Sequence, residues 1–262
     1  MRKIGFIGTG HMGGTIARAI SKDPNNFLFL NNRTKEKVDK LVKEIGRNAQ
    51  ACSLEDIFKN CDIIFIGVKP IDLDSLLDKI KEYCANKIII SMVAGSTIKD
   101  IEAIIGKSKI IRILPNTPIL VGEGITFVSY NSKINKTDIE EFLSVMKLTG
   151  DVIEIKEDKI NSASVITGSA PAYLDYFLDA LIKAGINLGL SGDESRDYVI
   201  KMAKGSIDLL VESNKTPIEL CDEVCSPGGS TIEGVNLMKD NNFVKIVEMA
   251  CEATFNKNNK MK

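Results

Sequence analysis

Short apolar segments rich in β-branched residues recur through the first 155 residues, and segments of helical period lie between them. Strands are predicted at seven of these segments, with a weaker one added last: Lys3–Gly8, Phe27–Asn31, Asp62–Val68, Lys87–Met92, Ile110–Leu114, Ile125–Tyr130, Val152–Ile155 and Asn48–Ala51. Strands that alternate with helices are typical of a parallel sheet covered by helices on both faces. The pattern therefore predicts a doubly wound α/β domain.

The pattern changes after about residue 159, where strand alternation ends and helical segments follow: Ile160–Ile166, Ala172–Leu188, Glu194–Val211, Ile218–Val224, Thr231–Lys239 and Phe243–Phe255. We therefore predict an α/β domain over residues 1–156 and an all-α domain over residues 157–262. Roughly 100 residues in short helices with wide apolar faces can barely cover themselves, because small domains have a high surface-to-volume ratio. The helical domain is expected to interlock with a second copy as a homodimer, and a higher oligomer of dimers is left open.

Three helix starts show an N-capping residue with an acid three positions later: Ser53 with Asp56, Thr137 with Glu140, and Thr216 with Glu219. Pro217 strengthens the third, because proline suits the first helical position.

Composition excludes several classes of protein. Hydrophobic residues make up 44% and charged residues 26% of the chain, which is a globular composition. Lys and Arg total 34 against 35 Asp and Glu, so no net field favours a nucleic acid or an anionic membrane as partner. The start of the chain resembles no signal peptide, and the six cysteines lack the Cys-x-x-Cys spacing. We expect a cytoplasmic protein with reduced thiols and no metal site.

His11 is the single histidine, so catalytic triads and histidine-rich zinc sites would all depend on it. It lies in a glycine-rich turn, where a loop position is favoured over a catalytic base.

That turn, Gly8-Thr9-Gly10-His11-Met12-Gly13, follows the first predicted strand and opens a helical segment. In this context the first glycine permits a tight turn, the second lets the backbone approach a pyrophosphate, and the third lets helix and strand pack closely. The motif predicts a Rossmann-like, dinucleotide-binding domain with Gly8, Gly10, His11, Met12 and Gly13 at the cofactor. A purely structural glycine turn is the alternative.

The end of the second predicted strand decides between the two nicotinamide cofactors. An NAD site has an acid there, whereas this chain has Asn31 followed by Asn32, Arg33 and Thr34. Because a guanidinium pairs well with phosphate, we expect binding of NADPH, with NADH possible. The alternative is that Arg33 and Thr34 only open a solvated helix.

Further cofactor contacts are predicted at the carboxyl ends of later strands, where open parallel sheets bind ligands. Val68, Lys69 and Pro70 end one strand, and Ala94 and Gly95 follow the next. A solvated lysine is an equally good interpretation of Lys69 from position alone.

The helical half carries two further motifs, Thr167-Gly-Ser-Ala-Pro-Ala-Tyr173 and Val224-Cys-Ser-Pro-Gly-Gly-Ser-Thr-Ile232. With the glycine motif, Val68-Lys69-Pro70, Ala94-Gly95 and Asn116-Thr-Pro118 in the same order, the chain resembles the Δ1-pyrroline-5-carboxylate reductase family over nearly its whole length. Two departures from the family pattern are Ala170, where a glycine is frequent, and Glu223, where some members have asparagine.

The resemblance implies an NAD(P)H-dependent reduction of a cyclic imine to L-proline, the last step of proline biosynthesis. It implies that the amides of Gly229, Ser230 and Thr231 bind the substrate carboxylate, and free amides at a helix start suit an anion. By the same analogy the Thr231 hydroxyl donates to the ring nitrogen, Ser226 lies nearby, and Glu157 lies near the substrate. A capped turn, and a solvated acid at Glu157, are the structural alternatives.

Two other functions stay open at this stage. A β-hydroxyacid dehydrogenase or imine reductase of the same architecture would place a catalytic lysine on the first long helix of the second domain, where only Lys183 is available and falls late. A dinucleotide-binding regulator without chemistry would keep the phosphate loop but would have no need for the turn at residues 228–231.

Overall fold

The computed structural model describes residues 1–260, which form two compact units. The first unit comprises residues 1–168 and the end of the last helix from Phe255, and the second is Ser169–Thr254. The strands of the first unit are β1 (Arg2–Ile7), β2 (Asn26–Asn31), β3 (Ala49–Ala51), β4 (Ile63–Ile66), β5 (Ile88–Ser91), β6 (Lys109–Pro115), β7 (Gly124–Tyr130) and β8 (Gly150–Glu154). Its helices are α1 (His11–Ile20), α2 (Lys35–Ile45), α3 (Leu54–Asn60), α4 (Pro70–Ile80), α5 (Ile98–Ile105), α6 (Lys136–Met146) and α7 (Ile160–Ser164).

The strands form one eight-stranded sheet in the order β3-β2-β1-β4-β5-β6-β7-β8. β1 pairs in parallel with both β2 and β4, so the strand order reverses at β1. This is the doubly wound arrangement that the sequence predicts, and the predicted strands are confirmed, including the weak one that becomes β3.

Successive residues of the central strands belong to two apolar clusters, one for each face of the sheet. Ile63 and Phe65 of β4 pack with α1, α2 and α6, whereas Ile64 and Ile66 pack with α3, α4 and α5. Phe6 and Phe65 stack within the first cluster with ring centroids 4.7 Å apart. Because both faces are covered, these strands are continuously apolar and show no alternation of apolar and polar residues.

The sheet departs from the expected parallel arrangement at β7, which runs antiparallel to β6. The connection between them is short and includes a 3-10 turn at Thr117–Val121. A parallel crossover needs a dozen or more residues, so this connection permits only an antiparallel neighbour. β8 then returns in parallel with β7 after α6.

Two of the three predicted helix caps are confirmed, at Ser53 and at Thr216. The cap predicted at Thr137 with Glu140 is wrong. α6 begins earlier, with Asn135 as N-cap, and the Asn135 side chain accepts a hydrogen bond of 3.0 Å from the Asp138 amide. Asn135 and Asp138 have the same three-residue spacing, and Thr137 therefore lies inside the first turn.

The second unit contains α8 (Ala170–Asn187), α9 (Gly192–Glu212), α10 (Pro217–Val224), α11 (Ser230–Asp240) and most of α12 (Phe243–Asn259). The all-α prediction for this part of the chain is confirmed. Of all residues in its helices, only Ser195 is buried, while large apolar side chains along every helix are exposed, including Leu174, Leu209, Val224, Leu237 and Val244.

The border between the two units lies later than the predicted domain border. The predicted helix at Ile160–Ile166 is α7 continued by a π-turn at Val165–Ser169, and α7 belongs to the first unit. The border at residues 156–157 stays a prediction. No helix among residues 1–260 is both long and apolar enough to cross a membrane.

Candidate functional site

The carboxyl ends of the central strands lie side by side at one edge of the sheet. Ile7, the last residue of β1, pairs with Asn31 of β2 and with Ile66 of β4. Ile66 in turn pairs with Ser91 of β5. The loops after these strands therefore begin at one edge, at the position where the strand order reverses and where open α/β sheets bind ligands.

The three glycines of the motif at residues 8–13, two in the loop after β1 and one in the first turn of α1, have different steric roles. Gly8 has a φ of +93°, and a Cβ on it would lie 2.6 Å from the Gly67 carbonyl carbon. A Cβ on Gly13 would lie 2.2 Å from the Gly8 oxygen, whereas a Cβ on Gly10 would meet nothing within 4 Å. The first and third positions therefore allow close backbone packing, and the second faces open space from which a ligand can approach.

α1 begins directly after this loop, with Gly10 as N-cap and neither a side-chain cap nor an acid in its first turn. The amides of His11, Met12 and Gly13 have no intrahelical acceptor, because the first amides of any helix lack one. Together with the helix dipole, these amides suit an anionic group such as a pyrophosphate.

A cavity of about 440 Å³ extends from this loop across the ends of β1, β2 and β4. It brings together the predicted cofactor residues Gly8, Gly10, Asn32, Arg33, Thr34, Val68 and Lys69. Lys37, Lys79 and Asp72 also line it and were missed from the sequence. The cations on its wall fit the phosphates of a dinucleotide, and Gly10 leaves the space that a diphosphate would need.

Arg33 is the cation that the sequence predicts to distinguish the two nicotinamide cofactors. It is the second residue after β2, and its side chain is 78% exposed, with Nη1 3.3 Å from Asp72 Oδ1. Asn32 donates a hydrogen bond of 3.3 Å to the Thr34 carbonyl and so shapes the turn. Among the described residues that line the cavity, the end of β2 supplies no acid.

The remaining predicted cofactor residues lie at the same edge but outside the lining of this cavity. Pro70 is the first residue of α4, with Lys69 as its N-cap. Ala94 and Gly95 follow β5, and Gly95 has a φ of +79°, which glycine adopts without strain. His11 is exposed and lines a neighbouring cavity of about 400 Å³ between α1 and α2.

Asn116 fixes the π-turn that carries the first motif of the helical half. Its Nδ2 donates to the Thr167 carbonyl at 3.1 Å, and its Oδ1 accepts from the Ile125 amide at 2.8 Å. Asn116 is buried, so both contacts are protected from water. The sequence indicated a tight loop here but not this bridge.

The turn between α10 and α11 presents a second set of free amides, in addition to those at the start of α1. Gly228 has a φ of +72°, and Gly229 is the N-cap of α11 without a side-chain cap. The Gly229 amide donates to the Ser226 carbonyl at 2.9 Å and so closes the turn. Of the three amides expected to bind a carboxylate, Gly229 is thus already engaged, and those of Ser230 and Thr231 are left.

The segment before this turn carries a pair of thiols. Burial raises the pKa of Cys225, and a hydrogen bond with Cys221 one helical turn earlier raises it further. Glu223, a departure from the family pattern, forms an ion pair with Lys215.

Glu157 has internal partners. Its Oε1 accepts hydrogen bonds from the Ile98 amide at 2.7 Å and from the buried Arg112 guanidinium at 2.9 Å. Glu157 thus joins the start of α5 to β6. These two contacts explain an acid at this position even if it binds no ligand.

Lys183, on which the dehydrogenase alternative depends, lies on α8 with its side chain 71% exposed. It donates to Asp179 Oδ2 at 2.6 Å, and this hydrogen bond raises the pKa of the amine. A lysine held in its charged form by a neighbouring acid is poorly suited to act as a general base.

Known proteins match the chain along its whole length. Residues 157–261 match the family model for pyrroline-5-carboxylate reductase dimerisation, and residues 3–95 match a model described as NADP oxidoreductase, coenzyme F420-dependent. The pyrroline-5-carboxylate reductase of Aquifex aeolicus is 31% identical over 261 residues, which covers 99% of this chain and 97% of that protein. The Escherichia coli enzyme is 31% identical over 265 residues, with 99% and 98% covered.

A solved structure is similar to this chain in both fold and sequence. The pyrroline carboxylate reductase of Plasmodium falciparum, crystallised with NADP bound, has a TM-score of 0.90 and 33% identity, over 100% of this chain and 99% of that chain. The glycine loop, the cationic cavity and the turn before α11 thus occur in a chain that resembles these reductases from end to end. The chain belongs to the pyrroline-5-carboxylate reductase family.

Proposed function

We propose that the protein reduces 1-pyrroline-5-carboxylate to L-proline with NADPH as hydride donor. One observation carries the proposal: a chain of this family has both a dinucleotide-type glycine loop and a second set of free amides before α11. The first set suits a diphosphate and the second a small carboxylate. The proposed reaction needs one ligand of each kind, because NADPH carries a diphosphate and 1-pyrroline-5-carboxylate carries a carboxylate.

NADPH is the proposed cofactor, with NADH as a weaker alternative. The amides of His11, Met12 and Gly13 would hold the diphosphate, and Arg33 with Asn32 and Thr34 would hold the 2′-phosphate. The match to a relative with NADP bound supports this assignment. Val68, Lys69, Pro70, Ala94 and Gly95 are proposed to hold the rest of the cofactor, because they follow the adjacent strands.

The substrate carboxylate is proposed to bind the amides of Ser230 and Thr231 at the start of α11. Gly229 contributes by shaping the turn, since its own amide is taken by Ser226. We propose that the Thr231 hydroxyl donates to the ring nitrogen, with Ser226 as its neighbour. Glu157 is proposed to act on the substrate only indirectly, because two donors already occupy one of its oxygens.

When bound, the nicotinamide supplies a hydride from C4. The protein's task is then to hold the imine carbon against that position with the ring nitrogen protonated. Correct placement of two reactants can account for about 7 to 11 kcal/mol of a reaction barrier. No strong side-chain acid is required in this mechanism, because the imine takes its proton from water before hydride transfer. The Thr231 hydroxyl then donates a hydrogen bond to the lone pair that forms on the nitrogen as the hydride is added.

The dehydrogenase alternative is weakened by the charged, exposed state of Lys183. The regulator alternative is weakened by the exposed turn before α11, which has no other evident use. A substrate panel separates the three: the reductase oxidises NADPH with 1-pyrroline-5-carboxylate, a β-hydroxyacid dehydrogenase instead reduces NADP+ while it oxidises a 3-hydroxy acid, and a regulator does neither.

We also propose a cytoplasmic homodimer formed through residues 157–262, with a higher oligomer of dimers left open, and neither a nucleic acid nor a membrane as partner. The exposed apolar side chains of α8–α12 support this assembly, because a free monomer would leave them in water. The match of the dimerisation family model from residue 157 supports the same border.

The direct test follows the absorbance of NADPH after addition of 1-pyrroline-5-carboxylate. We expect oxidation that requires the substrate, and a lower kcat/KM with NADH. Binding of NADPH without its oxidation by any cyclic imine would contradict the proposal and favour the regulator.

A further inference from the structure

We propose that Asp72 is a specificity-determining residue of the cofactor cavity, whose carboxylate opposes a 2′-phosphate and so limits the preference for NADPH over NADH. Asp72 is the one acid among the described residues that line this cavity. The inference rests on the proposed function, because it concerns the cofactor of that reaction.

Asp72 lies in the first turn of α4 and lines the same cavity as the turn that follows β2. Arg33 Nη1 lies 3.3 Å from Asp72 Oδ1 and 3.5 Å from Oδ2, which is the long end of the hydrogen-bond range. The side chains are 78% and 38% exposed, respectively. An exposed, loosely aligned ion pair of this kind is weak, so the guanidinium is available to a stronger acceptor.

A phosphate is such an acceptor, because its oxygens match the planar guanidinium and carry nearly two charges. Once Arg33 has turned to the phosphate, the Asp72 carboxylate is left without its partner beside a group of like charge. NADH has only a hydroxyl at this position and meets no such repulsion. The presence of Asp72 therefore penalises one cofactor and not the other.

The acid has a separate reason to stay in place. It lies in the first turn of α4, where the helix dipole stabilises a negative charge, and its amide donates to the Lys69 carbonyl at 2.9 Å. Because that backbone contact does not need the carboxylate, Asp72→Asn should leave the fold intact. Asp74→Asn is a matched control, since Asp74 is exposed on the same helix and lies outside the cavity lining.

The test measures Kd for NADPH and for NADH by calorimetry with the full-length wild type and both variants. We expect Asp72→Asn to lower Kd for NADPH about three- to tenfold, an effect that weakens with added salt, and to change Kd for NADH less than about twofold. Asp74→Asn should change neither constant. The ratio of kcat/KM values for the two cofactors should move in the same sense.

An unchanged or higher Kd for NADPH in Asp72→Asn would overturn the inference, and so would an equal change for NADH. If the wild type binds NADPH and oxidises it with 1-pyrroline-5-carboxylate, such a result overturns the role of Asp72 alone. If the wild type neither binds NADPH nor turns over, the proposed function fails and this inference fails with it.

Discussion

The glycines at positions 10 and 13 belong to one motif, yet a side chain would impair a different property at each position. Gly13→Ala places a Cβ 2.2 Å from the Gly8 oxygen, so we expect a loss of about 1–3 kcal/mol or more in stability. Gly10→Ala meets nothing within 4 Å, so the fold should be retained while Kd for NADPH rises at least about tenfold. Thermal unfolding and calorimetry separate the effects. An equal loss of stability in both variants would show that position 10 is structural.

Thr231 is the residue whose side chain we place nearest the reacting nitrogen. Thr231→Ala should lower kcat between several-fold and about a hundredfold, because one hydrogen bond is lost while substrate placement persists. Thr231→Ser keeps the hydroxyl and should recover most of the rate. A loss beyond about ten-thousandfold would instead identify an essential proton donor.

The sequence predicted several residues that follow strands and line the cavity, because a motif after a strand has a fixed place at the sheet edge. It missed Asp72 and Lys37, which line the same cavity from the first turns of α4 and α2, just beyond the loops that the motifs identified. Their approach to one cavity depends on how α2 and α4 pack, and spacing along the chain does not encode that. The engaged amide of Gly229 was missed for a similar reason, since turn closure depends on backbone angles.

The start of α6 tests the corrected cap at the scale of an element. Asn135→Ala removes the acceptor of the Asp138 amide, so we expect a loss of about 1 kcal/mol in the free energy of unfolding. Because Thr137 lies inside the first turn and is not the N-cap, Thr137→Ala should change the free energy of unfolding by less than about 0.5 kcal/mol. Urea unfolding of both variants checks this. A larger effect at Thr137 would restore the cap that the sequence predicted.

Asp23 joins three elements and gives the fold a dependence on pH. Its carboxylate is 2.8 Å from both Arg2 Nη2 and Lys147 Nζ, which connects the end of α1 to β1 and to the segment after α6. The hydrogen bond from Lys147, followed by that from the Asn25 amide, lowers the pKa of Asp23 from 3.8 to about 2.

A pKa lowered by folding stabilises the protein above pH 3.8, and this stabilisation is lost as pH falls towards about 2. Asp23→Asn should therefore be less stable than wild type at pH 6, and the free energies of unfolding of the two proteins should converge between pH 4 and pH 2. Unfolding in urea across this range measures the difference. A constant difference at every pH would contradict the assignment.

The order of elements was largely predictable because period and length differ between strands and helices. The antiparallel β7 was not predicted, although the short connection after β6 already excluded a parallel crossover. The π-turn at Val165–Ser169 was not predicted either, because its form depends on the contact from Asn116, far away in sequence.

At the scale of the whole molecule, the exposed apolar residues of α8–α12 predict self-association. Light scattering should give a mass of at least twice the 28.7 kDa of one chain. Leu209→Asp should shift this mass towards the monomer, because it places a charge on a surface that we expect a second copy to cover. Leu143→Asp is the control, at a comparably exposed apolar position on α6. A monomeric wild type would contradict the assembly.

The central claim is that hydride passes from the nicotinamide to the imine carbon of the bound substrate. The most direct measurement uses NADPH deuterated at the transferred C4 position with unlabelled 1-pyrroline-5-carboxylate, and locates the label in the product by NMR. We predict L-proline with one deuterium at Cδ, the former imine carbon. Deuterium retained on the nicotinamide while substrate is consumed, or a product labelled at another carbon, would contradict it.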